Sequence, residues 1–588
     1  MSAKRRKTGR IVFLIILTAA VVVAGILAFC SPVNKSDPAQ QMGVTSTPPS
    51  TDNAPPDNPD FTALATPTPE PTPYYNTPSA HSSALPSVFG YKRELEVDGA
   101  RTESFARKTP IDFVSAEHYA SLPGVLTFRG NNYRDNAAYG TANVQSKKLS
   151  LEWTVNSGSM PKGVSGDGSW SGSGWVGQPL VVEWPHETKA IMNMYDWAKE
   201  QDGLVEIILA TMDGNVYFLE LETGKPTRDK LHIGVPFKGA GSLDPRGYPL
   251  LYLGSGEMYN DSAKATRALV YSLIDFERLY EFGKQSDSFS LRNWHAYDSA
   301  PLVDAATDTL FYPGENGILY SMKLNTNYSP AAGTISVSPT DIVKYRYSAD
   351  RTGDSKYWLG YESSAAIWGE HLYVADNAGL FQCINVNTMD IVWVQDTWDD
   401  TNGSPVLELD PDNHTGYLYV GTSLHWKKDS SDRGDVAFFK LDAVTGEVIW
   451  KDVRNVATVS GVSGGIQATA VLGKGNISDL VIIPYARTPR TSRGLLVALD
   501  KTSGKERWTF ETENYSWSSP IAIYDEQGTA YIVQADTYGR IYLLDGATGA
   551  LLDTLYIEKN NFEASPVAFN DTIVIGSRAS RIYGIKIK

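Results

Sequence analysis

From about residue 149 to the end of the chain one short pattern recurs, and it constrains the fold more than any other feature of the sequence. Its clearest copy is Phe438-Phe439-Lys440-Leu441-Asp442-Ala443-Val444-Thr445-Gly446-Glu447-Val448-Ile449-Trp450. A second copy runs Val497-Ala498-Leu499-Asp500-Lys501-Thr502-Ser503-Gly504 to Trp508, and a third Leu543-Leu544-Asp545-Gly546-Ala547-Thr548-Gly549. Looser copies are Phe218-Leu219-Glu220-Leu221-Glu222-Thr223-Gly224 and the stretch from Gly379 to Trp393. Each reads as a strand, a tight turn and a further strand. The Asp can accept backbone N–H groups in the turn it opens, and the Gly supplies a positive-φ corner. The Trp offers a broad apolar face for packing between sheets and an indole N–H for a carbonyl. A four-stranded unit cannot bury both faces alone, so the copies must stack. A period of about 40 to 50 residues with four strands each is the signature of a propeller.

Eight units are expected. Their first strands begin near Gln178-Pro179, Tyr248-Pro249, Ser299-Ala300, Ser363-Ser364, Gly403-Ser404, Ile466-Gln467, Ser518-Ser519 and Ala564-Ser565, each with a small residue, Pro or Ala at the opening. The second unit is the weakest, so seven blades is the alternative. The last unit has only three strands, and the chain ends where its Trp-bearing fourth should begin. Leu151-Glu152-Trp153-Thr154-Val155 has the form of that missing strand. Pairing it with Ile582 to Ile587 closes the ring and removes open sheet edges. The 32 Tyr, 14 Trp and 50 Gly support an all-β chain of many short strands.

Residues 1–10 carry Lys4, Arg5, Arg6, Lys7 and Arg10, and residues 11–30 are uncharged and apolar. That length suits one membrane crossing, with the basic side retained in the cytoplasm. A signal anchor with an extracytoplasmic C-terminal part is therefore expected. Leu27-Ala28-Phe29-Cys30 is the alternative, a lipoprotein signal ending on Cys30, although Phe29 is atypical there. Residues 31–88, rich in Pro, Thr and Ser, read as a disordered spacer. Residues 89–148 read as a loosely structured cap, and 149–588 as the propeller. The formal charge of −15 and the absence of a basic stripe argue against a nucleic-acid partner.

The Leu-Asp-x-x-Thr-Gly-x-x-x-Trp repeat resembles that of the pyrroloquinoline-quinone-like (PQQ-like) propellers. Phe128-Arg129-Gly130-Asn131-Asn132-Tyr133-Arg134-Asp135 is similar to an Arg-Gly-Asn/Asp-x-x-Arg segment that leads into such propellers. The resemblance implies the eight-bladed fold. It extends to quinoprotein dehydrogenases and to a non-enzymatic propeller lipoprotein of outer-membrane assembly. The dehydrogenases hold their quinone with calcium, a Trp floor and adjacent cysteines. Here the only cysteines are Cys30 and Cys383, so no cofactor is expected. The non-enzymatic branch implies a protein-binding or scaffold module at the cell envelope.

Loops entering the innermost strands line the channel mouth, and several carry aromatic and polar side chains. Trp294, His295, Tyr297, Asp298, Tyr361, Glu362, Asn402, Trp517 and Glu563 are the candidate ligand-binding residues there. Aromatic surface with a few convergent polar groups suits a small ligand or a cell-wall glycan. Asp298, Glu362 and Glu563 are candidates for paired-carboxylate glycoside chemistry or for a cation. The same side chains could simply fill and solvate the channel. His295, His371, His414 and His425 have no metal-ligand spacing. The charged connector from His425 to Arg433 is a second place where a partner could bind.

Overall fold

The computed structural model describes residues 76–174, 177–261, 264–352, 359–459, 464–559 and 561–588. The anchor expected over 11–30 and most of the spacer lie outside them. Among the described residues no helix is long and apolar enough to cross a membrane.

The described residues form ten sheets: eight of four or more strands follow one another along the chain as eight blades, antiparallel within each blade, and two are short hairpins outside them. Every blade is buried on both faces. Eight apolar clusters fill the gaps between neighbours, each drawing residues from two adjacent sheets. The inner strands read Val-Ile-Leu-Tyr because almost none of their positions meets water, whereas the outermost strand of a blade alternates buried and exposed positions.

Ring closure follows the expected pairing. Leu149–Asn156 lies antiparallel to Arg581–Ile587, with Trp153 opposite Gly584 and Val155 opposite Ile582. The repeat's Trp docks one blade on the next. Trp393 donates its indole N–H to the Ala443 carbonyl at 3.1 Å, Trp450 to Lys501 at 3.0 Å and Trp508 to Gly546 at 3.1 Å. Each indole covers the turn glycine of that next blade: Gly446, Gly504 and Gly549. The turn's Asp does what its position suggests, Asp442 accepting Val444 N at 2.9 Å and Thr445 N at 2.7 Å. In these outer strands one extra residue sits just before the Trp; Cys383 faces Trp393 while Ile384 faces Ile391. Such a bulge sharpens the local twist and aims the indole at its neighbour.

The small residue that opens each unit has a physical reason. Around the axis, the backbone N–H of one blade's opening residue donates to the hydroxyl of the next. Ala300 donates to Ser364, Ser364 to Ser404, Ser404 to Thr469, Thr469 to Ser519 and Ser519 to Ser565, at 2.8–3.1 Å. Ser565 then donates to the Gly177 carbonyl at 2.8 Å. This belt ties six consecutive blade junctions and needs side chains no larger than Ser or Thr.

Residues 124–142 are not a loose cap. They run inside the ring and bond to all eight innermost strands or the residues that open them. Gly124–Val125 pairs with Val181 and Val182 of blade 1, and the Leu126 carbonyl accepts Leu243 N of blade 2. Arg134 donates to the carbonyls of Ala300 at 3.0 Å and Ala365 at 2.8 Å, in blades 3 and 4. The Tyr133 carbonyl accepts Leu407 N of blade 5. Arg129 donates to Ala470 at 3.0 Å and Pro520 at 2.8 Å, in blades 6 and 7. Ala138–Tyr139 pairs with Ala568 and Phe569 of blade 8. Both guanidiniums are fully buried, and burial draws each down to about 10, so both stay charged at neutral pH.

Three other expectations meet a different structure. Tyr248-Pro249-Leu250 opens the second strand of blade 2, not the first; the first is the two-residue Ser242–Leu243. The lead-in strand Lys92–Val97 adds to blade 3's outer strand Thr340–Ser348, with Leu95 opposite Tyr345. Residues 76–88, expected within the spacer, lie along blades 4 and 5. Ser79 N donates to Val444, His81 N to Thr445, and the Ala84 carbonyl accepts Val394 N. The polar composition is compatible with this path because the contacts are made mainly by backbone.

Candidate functional site

The belt residues place the candidate side chains. Asp298, Glu362, Asn402, Trp517 and Glu563 each stand two positions before a belt residue: Ala300, Ser364, Ser404, Ser519 and Ser565. They therefore share one position, just ahead of the belt, in blades 3, 4, 5, 7 and 8.

The structure gathers Asp298, Glu362 and Asn402 and adds groups that the sequence reading missed. Glu315 accepts the Trp294 indole N–H at 2.6 Å, and its carboxyl also contacts Asp298. The Asn402 amide donates to Glu362. Asn377 donates to Asp400 at 2.7 Å and accepts from Arg292 at 2.7 Å. Lys238 stands 5.5 Å from the Trp294 ring. Burial dominates the electrostatics. It lifts the Asp298 carboxyl against the opposing pull of Lys238 and the Glu315 hydrogen bond, and it lifts Glu315 well above the usual range, with Asp298 and Glu362 adding to that. Burial, then Asp400 and Asp298, raises Glu362 to about 8.

The rest of the expected set sits elsewhere. Tyr297 is a core residue, its hydroxyl donating to Gly283 at 3.0 Å and its ring against Tyr312. Tyr361 is buried inside blade 4, donating to Gln382 at 3.1 Å. His295 is buried beside the group, its backbone N–H on the Met258 sulfur and its imidazole shifted down by burial. Trp517 packs on Tyr515, 5.9 Å away, whose ring carries Arg487. Glu563 pairs with Arg578 at 3.0 Å and with Asn561 at 2.7 Å. The trio Asp298, Glu362 and Glu563 is thus divided between two sectors. Trp170 bridges them, with Lys238 at 4.6 Å and Arg578 at 5.3 Å over its ring and its N–H on Glu257 at 2.8 Å.

The connector that starts at His425 is fastened to the same mouth. Asp399 accepts the backbone N–H of His425 at 3.1 Å and of Lys427 at 3.0 Å, while His425 faces Asp400 at 3.3 Å. Among the described residues no group of three or more His, Cys, Asp or Glu is arranged to hold a metal ion.

A family model described as outer membrane protein assembly factor BamB matches residues 357–509 and 492–588. A curated relative of that description, from Kangiella koreensis, is 26% identical over 228 residues, 38% of this chain and 50% of the relative. The chain thus spans about half the length of the curated relative it matches. Among solved structures, BamB from Moraxella catarrhalis aligns at 15% identity and a TM-score of 0.42, over 65% of this chain and 92% of that one. A quinohemoprotein alcohol dehydrogenase from Pseudomonas putida aligns at 12% identity and 0.49, over 82% and 83%. The described residues form an eight-bladed propeller whose C-terminal part, residues 357–588, resembles the PQQ-like outer membrane assembly factor BamB.

Proposed function

We propose that this protein is a protein-binding scaffold of the cell envelope, held to a membrane by its N-terminal segment and working through the rim of its propeller. The match of blades 4 to 8 to an outer-membrane assembly factor carries the reading. The rim supplies a surface for it. Outer strands end each sheet with unpaired backbone groups, and proteins usually guard such edges with charge or cover. Blade 3 is covered by Lys92–Val97 and blade 4 by the chain around Ala84. Blade 6 presents Glu506, Arg507 and Glu511. Blade 7's outer strand Leu551–Tyr556 instead exposes Leu551, Thr554 and Tyr556, the two large residues about half open to water. Its one charge, Asp553, turns to Lys148 and the Leu149 N–H.

A photo-crosslinking residue at position 554, compared with one at 509 in blade 6, tests this in intact envelopes. One discrete protein adduct at 554, lost in the Leu551→Lys/Tyr556→Lys variant, is expected. Equal labelling at both positions, or an adduct indifferent to the variant, contradicts it. A receptor for a small ligand or glycan, or a hydrolase, is the second reading, favoured by the buried carboxyls that meet at the mouth.

A further inference from the structure

The first two strands of blade 4, Ala366–Trp368 and His371–Ala375, are joined by the tight turn Gly369-Glu370, at the end of the blade remote from the belt residue Ser364. Two segments of the lead-in chain are fastened beside that turn. Asn387 holds residues 110–112, its Oδ1 accepting Ile111 N at 2.7 Å and its Nδ2 donating to the Ile111 carbonyl at 3.0 Å. Phe113 N then donates to the Gly369 carbonyl at 2.9 Å. Residues 76–79 are held by Asn76 N on the His414 carbonyl at 3.1 Å and by Ser79 N on the Val444 carbonyl at 2.9 Å. The turn and both segments line an open cleft of about 400 Å³, within the ~300–1,000 Å³ range of small-ligand sites.

One group in its lining is left unfinished by the fold. His371 is only 7% exposed, yet its imidazole makes no hydrogen bond or ion pair among the described residues. Neither ring nitrogen is sealed from solvent, and the residue lines the cleft. Burial draws the ring down to about 4 against the opposing pull of Glu370, so at neutral pH it is uncharged, with one nitrogen a donor and the other an acceptor. A buried polar group without a partner costs stability, and a ligand that completes it recovers that cost.

We propose that this cleft is a binding site for an uncharged, hydroxyl-rich ring, a pyranose unit, whose hydroxyls complete the hydrogen bonding of His371. The rest of the lining selects that chemistry. Pro78, Pro110 and Trp368 supply apolar walls for the flat C–H face of such a ring, and Asp112 and Glu370 supply acceptors for its hydroxyls. No Lys or Arg lines the cleft, which disfavours an anion. An ammonium has no acceptor, so it would leave the imidazole N–H unpaired, whereas a hydroxyl serves either nitrogen and also donates to a carboxylate. Among the described residues no group is arranged to hold a metal ion. The cleft lies apart from the channel mouth and from the exposed strand of blade 7, and the inference rests on neither.

Titration of the full chain with methyl β-D-glucopyranoside and with a linear trimer of N-acetylglucosamine, followed calorimetrically and by the thermal shift each produces, tests the cleft. Saturable binding of at least one is expected. His371→Phe keeps an aromatic ring in the strand but removes the donor and the acceptor, so affinity should fall roughly fivefold or more. Asp112→Ala, on an exposed part of the lead-in segment, should also weaken binding, and it keeps the site testable if the histidine variant folds poorly. Tighter binding of the trimer assigns the source to a glycan, and equal binding of the monosaccharide assigns it to a free sugar. Four results would each overturn the proposal: no saturable binding of either sugar; binding unchanged in whichever variant folds; loss of binding in Glu563→Gln at the channel mouth rather than in His371→Phe; or saturation by glucose 6-phosphate or a peptide of residues 66–73 in place of the sugars.

Discussion

The indole of Trp153 covers Gly224, and its N–H donates to the Leu221 carbonyl at 2.8 Å. A Cβ on Gly224 would stand 2.6 Å from the ring, and the residue's φ is +67°. Trp153 belongs by pairing to blade 8 and Gly224 to blade 1, so this contact joins the last blade to the first. It repeats the junctions of Trp393 with Gly446 and Trp450 with Gly504. Trp153→Ala should cost about 3–5 kcal/mol in denaturant unfolding. Gly224→Ala, which adds a clash to left-handed strain, should cost more than about 1 kcal/mol. If the two together cost no more than the larger one alone, they act through this one contact; full additivity would separate them.

The axial arginines give a second expectation. Arg134→Met removes a buried charge but strands the carbonyls of Ala300, Ala365 and Phe128. Each stranded acceptor costs roughly 1–3 kcal/mol, so the variant should melt well below the parent. An exposed-arginine control, Arg507→Met, should stay within about 0.5 kcal/mol. Equal melting of the two variants would mean that residues 124–142 merely rest in the ring.

Most of the fold was legible because its signals are local. Asp442, Gly446 and Trp450 lie within one turn and its flanking strands, and each side chain acts where its chemistry implies. Blade 2 misled for an equally local reason. Its inner strand, Ser242–Leu243, is two residues long and lacks the Ser/Thr-Pro/Ala opening, so the stronger Tyr248-Pro249-Leu250 stood out. The mouth was half legible. Asp298, Glu362 and Asn402 share a position relative to the belt. Glu315 does not, coming from the turn between the second and third strands, two residues before Gly317 as Asn377 is before Gly379. Aligning the repeats at that glycine is the signal that finds it. Arg292 and Lys238 reach the site from connections with no repeat position, so no periodicity exposes them.

Glu362 supplies a pH signature. Its carboxyl is raised to about 8 in the folded chain, against ~4.3 for an unperturbed Glu. Between those values the folded state holds a proton that the unfolded chain has lost, so stability falls as pH rises through that window. Below it both states are protonated and the group contributes nothing. Glu362→Gln should match the parent near pH 4, exceed it increasingly up to about pH 8, and keep a constant advantage above that. Parallel stability curves for parent and variant would contradict the assignment.

Residues 76–90 yield a fourth expectation. Their removal exposes the outer strand Ile391–Asp396 of blade 4 and deletes the fully buried Ala84. The shortened chain should lose about 1–3 kcal/mol and gain a tendency to associate through the uncovered edge. A Val394→Lys change in that background should restore the monomer at the cost of further stability. Monomeric behaviour without the lysine would show that the segment does not guard the edge.

The closed ring is the premise of every site described, and native-state hydrogen exchange measures it most directly. If Leu149–Asn156 is the fourth strand of the last blade, its ladder amides should exchange with those of Arg581–Ile587, at one slow rate that changes together with denaturant. Fast, independent exchange of Leu149–Asn156 while Arg581–Ile587 stays protected would contradict the closed eight-bladed ring.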